Sequence, residues 1–553
     1  MKTIKFKYLL PCALLGMMLG VASCVNDLDT VPLDKDELVS DVVFGNEPLA
    51  YEQSLAKIYA GMAIGGNSGG DSDQDVVGID GGSQASFLRV LWNMQDLPSD
   101  IAHCAWNDPG IPEFNHISWG ASSPWIKGSY YRLFYQINVA NAYLRETTED
   151  KLDARGCDAS LKASIKTWRA EARFLRALSY EYALDLYRNV PFVDENSPIG
   201  SIPPKQIMAA DLFNWIEKEL TECVEDMLEP TVGYSQDYGH ANKAAAWALL
   251  SRLYLNAETY VGQNKYTECI TYAKKVIETG YQLEPVYVDM FKADNHLSNE
   301  MIFPVRYEGD QTMTWGGMTA FLCWGATATQ EEVNAKGAWQ GVRAKSSLYN
   351  LFLKESGSDA DTRKAMLRTD LTTSLEIIDE NTFQNNGIPV TKYFNVNKDG
   401  TLPPSKEAYV DFPLFRLGEI YLTYAEAVLR GGQGGDRATA LRYVNDLRKR
   451  AYSDKTLAPI SDSDLTLNFI IDERGREFFF EGQRRTDLVR FGLFTTAGYV
   501  WPWKGGTAKG KAVENFYNVF PIPSDDIGSN TNLKQNEGCL LYTSPSPRDG
   551  ATS

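Results

Sequence analysis

Apolar and polar residues alternate with a helical period over much of the chain. Between residues 168 and 187, apolar side chains recur three and four positions apart, which places them on one face of a helix. The residues of this face are Phe174, Leu175, Leu178, Tyr182 and Leu186. The charged residues expected outside it are Arg169, Glu171, Arg173 and Arg176. The pattern predicts one amphipathic helix that ends near residues 189–191, where a proline follows.

Four further segments have the same period and occur in two pairs. Residues 241–258 precede residues 266–278, and residues 417–429 precede residues 437–451. Gly280 follows the second segment, where a left-handed helix cap is expected. The first segment also matches the first-helix pattern of the tetratricopeptide repeat at Trp247, Leu250, Ser251 and Tyr254. We therefore predict a mainly α fold, with a scaffold of degenerate, tetratricopeptide-like helical repeats.

Three stretches lack a sustained helical period. Residues 82–135, 300–345 and 495–523 are rich in glycine, proline and tryptophan. Such segments are typical of loops and short strands. We expect them to form an irregular, loop-rich face for ligand binding on the helical scaffold.

The N-terminus has the pattern of an export signal. Three lysines precede an apolar stretch at residues 9–22, which is too short to span a bilayer as a mature helix. Small residues at 21–23 lead directly to Cys24, as in a bacterial lipobox. We predict a lipoprotein signal peptide at residues 1–23 and acylation of Cys24, which would anchor the protein in a membrane. A plain signal peptide with an accidental cysteine remains the alternative.

The rest of the chain is predicted to form one globular unit. It covers residues 24–538, with an N-terminal part at about 24–235 and a C-terminal part at about 236–538 that both contribute helices. Residues 539–553 resemble a translated sequencing adapter, so we predict a non-native tail there and exclude it from fold reasoning.

Charge and aromatic content narrow the class of ligand. The chain of 553 residues has a formal net charge of −18, which argues against a nucleic-acid groove lined by lysine and arginine. Aromatic residues make up 12% of the chain. They belong either to the core or to exposed platforms for flat apolar faces of a ligand. A neutral or cationic ligand fits this composition better than a polyanion.

No motif predicts catalysis. Residues 66–70 satisfy G-x-S-x-G, but no hydrophobic strand precedes them and no helix follows. Residues 505–511 satisfy most of a phosphate-binding loop, yet Ala512 stands where a hydroxyl is required. The four histidines are scattered and never paired at helical spacing, so the sequence does not indicate a zinc hydrolase or a histidine-based triad.

One acidic segment has some features of a calcium loop. Asp71, Asp73 and Asp75 alternate as calcium ligands do, but Val76 replaces the turn glycine and Gly82 replaces the bidentate acid. We therefore expect no cofactor. A structural calcium ion stays open beside the interpretation of these acids as solvated loop charges.

Several ordered blocks resemble the SusD/RagB family of outer-membrane glycan-binding lipoproteins. The resemblance covers essentially residues 24–538. The blocks that carry it are residues 169–177, 250–257, 415–427, 473–478, 481–490, 520–523 and 532–536. Their charged residues have the spacing of ion pairs within and between helices, so we interpret Glu477 and Glu481 as scaffold and not as a catalytic pair.

Within that family, the sequence looks most like the starch-binding branch, especially at residues 487–496 and 501–506. By motif position, the resemblance implies that Trp106 and Trp339 belong to an aromatic arc that holds a curved glucan, with Phe321 as the third ring. It also implies polar ligand-binding roles for Arg89, Asn107, Asp108 and Asp80. A pyranose has an apolar face that gains from contact with an aromatic ring, and its hydroxyls need such donors and acceptors.

The resemblance implies non-catalytic capture of an oligosaccharide, and from the starch-binding branch we expect an α-glucan. It further implies delivery to a SusC-like TonB-dependent transporter in the outer membrane. This protein would then be lipid-anchored at the cell surface and act as a lid over the transporter. Three alternatives stay open: a different cargo, such as another glycan or a peptide; a surface glycoside hydrolase; and a helical-repeat adaptor without sugar affinity.

Overall fold

The computed structural model describes residues 40–538, apart from positions 46, 68–73, 81–82, 201, 324, 327–329 and 337–339. The predicted signal peptide, Cys24, Trp339 and the predicted tail at 539–553 therefore lie outside the described residues.

The described chain is predominantly helical. The α-helices are α1 (Ser40–Phe44), α2 (Pro48–Ala63), α3 (Phe87–Gln95), α4 (Ile111–His116), α5 (Pro124–Glu146), α6 (Glu149–Ala154), α7 (Ala159–Tyr187), α8 (Ala209–Cys223), α9 (Lys243–Leu255), α10 (Ala257–Val261), α11 (Tyr266–Glu278), α12 (Gln330–Val333), α13 (Ser346–Leu353), α14 (Leu417–Leu429), α15 (Arg437–Ala451), α16 (Leu467–Phe478), α17 (Arg484–Arg490) and α18 (Ser524–Ser529). A π-helical segment occupies Met318–Cys323.

Short strands connect distant parts of the described chain. Three antiparallel pairs form, namely β1 (Ala102–Cys104) with β5 (Val342–Ala344), β2 (Val190–Pro191) with β3 (Gln206–Ile207), and β4 (Met301–Val305) with β6 (Phe412–Arg416). None of these strands exceeds five residues. They therefore fix loops onto the helical scaffold and do not form a layer of their own.

Helices that follow each other in sequence pack against each other. Helix α5 packs on α7, α7 on α8, α9 on α11, and α14 on α15. Helix α11 also packs on α14, which joins the two predicted pairs into one stack. The prediction of a mainly α, tetratricopeptide-like scaffold is confirmed.

Several helix bounds agree with the sequence pattern. Helices α11, α14 and α15 begin and end at the predicted residues. Gly280, just beyond α11, has a φ of 95°, as expected of a left-handed cap. Asp436 caps α15 by accepting a hydrogen bond from the backbone of Thr439. The segment predicted at 241–258 is divided at Asn256 into α9 and α10.

The prediction of loops and short strands at 82–135 is wrong in part. Helix α3 and the beginning of α5 lie within this stretch. All nine residues of α3 are buried, including its polar ones. A helix of nine residues is shorter than the window of roughly 11–18 residues in which a helical period can be recognised, which is why the sequence period did not reveal it.

Helix α7 buries charged side chains that were expected outside its apolar face. Helices α2, α5 and α8 all pack against it, so that more than one face is covered. Arg176 is consequently buried, and it pairs with Glu195 and Glu219, both at 2.5 Å. Glu171 is also buried and accepts hydrogen bonds from Tyr59 and His240. Pairing offsets the cost of removing these charges from water.

A continuous apolar core runs through both predicted parts of the chain, from Leu55 to Leu533. Trp168 and Trp247 pack against this core with part of each side chain exposed. Among residues 40–538, wherever the structure describes them, no helix is long and apolar enough to cross a membrane.

Candidate functional site

Trp106 lies just beyond the pairing of β1 with β5. Cys104 is opposite Val342 in that pair, and the N–H of Ala105 donates to the carbonyl of Gly341 at 2.8 Å. The backbone of Gly341 consequently contacts the indole of Trp106, and any Cβ at position 341 would overlap with this ring. The position of Trp106 therefore depends on a glycine in the neighbouring segment.

Two buried side chains hold the loop that carries Trp106. The side chain of Asn115, in α4, accepts from the N–H of Cys104 at 3.1 Å and donates to its carbonyl at 2.7 Å. Trp125, at the beginning of α5, donates from Nε1 to the carbonyl of Pro109 at 3.0 Å. Since the loop is bound on both sides of Trp106, the ring is presented from a fixed backbone.

Arg89, in α3, has a guanidinium group enclosed by aromatic rings. Its Cζ lies 4.4 Å from the ring centre of Phe321, 4.6 Å from that of Trp125 and 4.9 Å from that of Trp106. The residue is 2% exposed, and its Nε has no hydrogen-bond partner among the described residues. A cation is attracted to the face of an aromatic ring, so these rings replace part of the lost hydration. Arg89 supports Trp106 from inside the protein.

The negative charges of two acidic residues stabilise the protonated form of Arg89. Burial lowers the pKa of Arg89 to about 10, and the charges of Asp108 and Asp80 are among those that oppose this shift. The guanidinium remains protonated at neutral pH. Both carboxylates are exposed, so they lie at the surface near the buried cation and are open to a ligand.

Phe321 does not occupy the surface position that the resemblance implied. It lies in the π-helical segment and is 0% exposed. Its ring centre is 4.9 Å from that of Trp92, in a T-shaped contact, and 6.4 Å from that of Trp106. Contacts with Trp92, Trp106 and Arg89 cover the ring and leave it no open face. Phe321 therefore backs Trp106 and Arg89 from below and cannot itself stack on a ligand in this structure.

The structure brings most of the predicted site residues together. We call Trp106, Arg89, Asn107, Asp108 and Asp80 the Trp106 surface. Trp106 is half-buried, Arg89 is buried, and the other three side chains are exposed. Trp339, two positions before Gly341 in sequence, lies outside the described residues, and its role stays a prediction.

Sequence reasoning missed the residues that build this surface from behind. Trp125, Asn115 and Gly341 contact Arg89, Cys104 and Trp106 as described above, but none of them belongs to a recognisable binding motif. A further signal is purely conformational. Gln340, next to Gly341, has a φ of 49°, which is uncommon for a residue other than glycine and is found disproportionately at binding sites.

The acidic loop offers limited support for a calcium site. Asp75 binds Lys57 at 2.8 Å and Arg132 at 3.0 Å, and it accepts from the hydroxyl of Tyr135 at 2.9 Å. Burial alone raises its pKa, but these partners lower the pKa below the usual value. Asp71 and Asp73 lie outside the described residues. Where the chain is described, no three potential metal ligands cluster.

The two acids considered above as a catalytic pair, Glu477 and Glu481, form ion pairs with buried cations. Glu477 accepts from Arg363, Arg416 and Arg450, and Glu481 accepts from Arg416 and Lys392. Both carboxylates are buried. A general acid must give up a proton near neutral pH, whereas the arginines hold the pKa of Glu477 well below its usual range despite burial. The geometry is that of a buried ionic scaffold.

A comparison with known proteins places this architecture in a family. The chain is 35% identical to the starch-binding protein SusD of Bacteroides thetaiotaomicron, over 97% of this chain and 100% of that protein. The chain belongs to the SusD family. The sequence profile described as SusD family matches residues 377–538, the part that contains helices α14 to α18.

Solved structures of the SusD family share the fold. A laminarin-binding SusD-like protein matches with a TM-score of 0.65 and 21% identity, over 90% of this chain and 100% of that one. Surface glycan-binding protein A from Bacteroides fluxus matches with a TM-score of 0.64 and 22% identity, over 88% and 98% of the two chains. At these identities the likeness establishes the helical fold.

Proposed function

We propose that this SusD-family protein binds a neutral oligosaccharide on the Trp106 surface, without cleaving it. The observation that carries this proposal is the juxtaposition of a half-buried indole with exposed carboxylates above a buried guanidinium. The indole fits the apolar face of a pyranose, and Asp108, Asp80 and Asn107 fit its hydroxyl rim. We propose that Trp339 adds a second ring.

An α-glucan is the cargo that we propose. The relative at 35% identity is named as a starch-binding protein, and the resemblance at residues 487–496 and 501–506 points the same way. The formal charge of −18 disfavours a polyanionic glycan. A β-glucan, a host glycan and a peptide are outcomes that the test must distinguish.

We further propose the setting in which binding occurs. Acylated Cys24 would anchor the protein in the outer membrane at the cell surface, and the bound oligosaccharide would pass to a SusC-like TonB-dependent transporter. The lipobox-like residues 21–24 and membership of the SusD family support this part of the proposal.

Isothermal titration with maltoheptaose tests the site. Trp106→Ala and Trp339→Ala should each weaken binding about ten-fold, because each removes one stacked ring. Trp247→Ala is the matched control, since Trp247 is a half-buried tryptophan on helix α9, and it should leave the affinity unchanged. Wild-type affinity in both site variants would contradict the assigned surface.

A second measurement separates the alternatives. Laminari-oligosaccharides, other neutral glycans and peptides should bind more weakly than malto-oligosaccharides. If one of them binds more tightly, that ligand replaces the α-glucan as the proposed cargo. Prolonged incubation with starch should release no reducing ends. Release that disappears on substitution of two acids, with binding retained, would instead establish a glycoside hydrolase.

A further inference from the structure

A second concave surface lies along the segment that follows strand β4. Two adjoining cavities, of about 300 Å³ and about 460 Å³, share walls formed by Tyr238, Arg306, Glu308 and Gln311. Volumes of this size are typical of sites for small ligands. No residue of the Trp106 surface lines either cavity. We call this surface the Tyr234 groove, after the exposed tyrosine that lines its smaller cavity.

Five aromatic side chains line the smaller cavity, and three of them, Tyr234, Tyr238 and His296, lie against one another. The ring centre of Tyr234 lies 5.8 Å from that of Tyr238 and 5.4 Å from that of His296. Tyr234 is 62% exposed, whereas the hydroxyl of Tyr238 donates to buried Asp411 at 2.7 Å. The ring of Tyr234 is thus available to a ligand, while its neighbour Tyr238 is fixed to the core. An exposed ring that packs against a fixed neighbour is a suitable platform for the apolar face of a sugar.

Donors and acceptors of hydrogen bonds surround these rings. Arg306 lies over the ring of Tyr238, with its Cζ 5.8 Å from the ring centre, and forms an ion pair with Glu308. The side chains of both charged residues are 47% exposed. Gln311 adds an exposed amide at the shared wall. A glycan hydroxyl can accept from the guanidinium and donate to the carboxylate, so this set matches a polyhydroxylated ligand.

The backbone of the groove is adapted to hold Arg306. Gly239 has a φ of 92°, a conformation that favours glycine, and a Cβ at this position would overlap with the stem of Arg306. The loop that carries Tyr234 and Tyr238 therefore contacts the arginine directly. Glu308 neutralises that arginine, and Asp411 adds a further acid beneath, which makes the groove unsuitable for a polyanion.

We propose that the Tyr234 groove is a second binding site for a neutral gluco-oligosaccharide, separate from the Trp106 surface. Tyr234 would stack on one glucose ring, and Arg306, Glu308 and Gln311 would bind its hydroxyls. The choice of glucan as ligand rests on the proposed function, whereas the location rests on the groove itself. Two sites on one protein would raise the avidity for a long polysaccharide.

Isothermal titration with maltoheptaose and, separately, with laminariheptaose tests this site after the first one has been weakened. The comparison uses Trp106→Ala alone, Tyr234→Ala alone, and Trp106→Ala combined with Tyr234→Ala or with Tyr234→Phe. Tyr234 is mostly exposed, so its substitution should not impair folding. Trp106→Ala should retain weak binding of at least one glucan. Adding Tyr234→Ala should weaken that binding about ten-fold, and adding Tyr234→Phe should preserve it, because the ring remains.

The outcomes separate this proposal from the proposed function. If the combined Trp106→Ala and Tyr234→Ala variant binds both glucans as Trp106→Ala does, the second site is overturned, whatever the first site does. If Trp106→Ala binds like the wild type but Tyr234→Ala does not, the groove stands and the assigned first site fails. If Trp106→Ala alone abolishes all binding of both glucans, the groove is overturned and the first site stands.

Discussion

The guanidinium carbon of Arg89 lies 4.9 Å from the ring centre of Trp106, and the arginine is buried while the indole is only half-buried. Burying a charged group beneath a surface ring costs stability, so its presence there points to a contribution other than stability. We interpret the pair as a binding element in which the ring contacts the ligand and the cation fixes the ring.

Replacement of this cation distinguishes a binding role from a structural one. Arg89→Met keeps the length of the side chain and removes the desolvated charge. The free energy of unfolding should change by less than about 1 kcal/mol, because a well-packed apolar side chain can replace a buried charge at little cost. The affinity for maltoheptaose should nevertheless fall several-fold. Urea denaturation and isothermal titration measure the two effects, and an unchanged affinity would assign Arg89 to the scaffold.

A methyl group at position 341 should displace the indole of Trp106. Gly341→Ala introduces a Cβ into the space that the ring occupies, which should cost about 1–3 kcal/mol of stability and weaken glucan binding. Gly498→Ala is the matched control, because nothing lies within 4 Å of its Cβ position. Thermal denaturation and isothermal titration should show a lower melting temperature and a weaker glucan affinity for Gly341→Ala than for Gly498→Ala. Equal values in the two variants would show that the contact between Gly341 and Trp106 does not contribute to binding.

The exposed carboxylate beside Arg89 should contribute to affinity and not to folding. Asp108→Ala should weaken maltoheptaose binding about five-fold, the usual effect of losing one hydrogen bond to a ligand. Asp525→Ala is a suitable control, since its carboxylate is 60% exposed and pairs with Lys127. Titration should reveal a loss only for Asp108→Ala. A comparable loss in both variants would indicate a general charge effect.

The buried ionic scaffold should make the free energy of unfolding depend on pH in the acidic range. Burial alone raises the pKa of Glu473, but Arg363, Arg476 and Arg448 outweigh it and hold the pKa at about 2. Because the folded pKa is lower than the ordinary value of 4.5, this stabilisation is fully present above about pH 4.5. It should disappear as the pH falls towards 2.

Urea denaturation between pH 7 and pH 2 measures that loss. Glu473→Gln leaves Arg363 without one of its partners, which should cost about 3–5 kcal/mol at pH 7 and flatten the dependence on pH. A wild type whose stability stays constant from pH 5 to pH 3 would contradict the assigned ion pairs.

The sequence predicted the fold where helices are long. Helices α11, α14 and α15 have 13, 13 and 15 residues, so their periodicity extends over several turns and their bounds could be predicted from it. Helix α3 has only nine residues, which is too short for a sustained period. A different limit applied to Glu171 and Arg176, whose charge suggested exposure but whose burial depends on partners distant in sequence.

Motif position selected the surface residues of the candidate site but not the residues that support it. It selected Trp106, Asp108 and Asp80, and the structure brings these residues to Arg89, while their role in binding stays a prediction. Phe321 was placed at the surface because motif position carries no information about burial. Trp125 and Gly341 act through contacts that only the folded chain creates.

The structure of the complex with maltoheptaose tests the central claim most directly. We predict that a glucose ring covers the exposed face of Trp106, with its hydroxyls within hydrogen-bond distance of Asp108, Asp80 or Asn107. A complex in which the glucan is bound elsewhere and Trp106 stays uncovered would contradict the assignment of this surface.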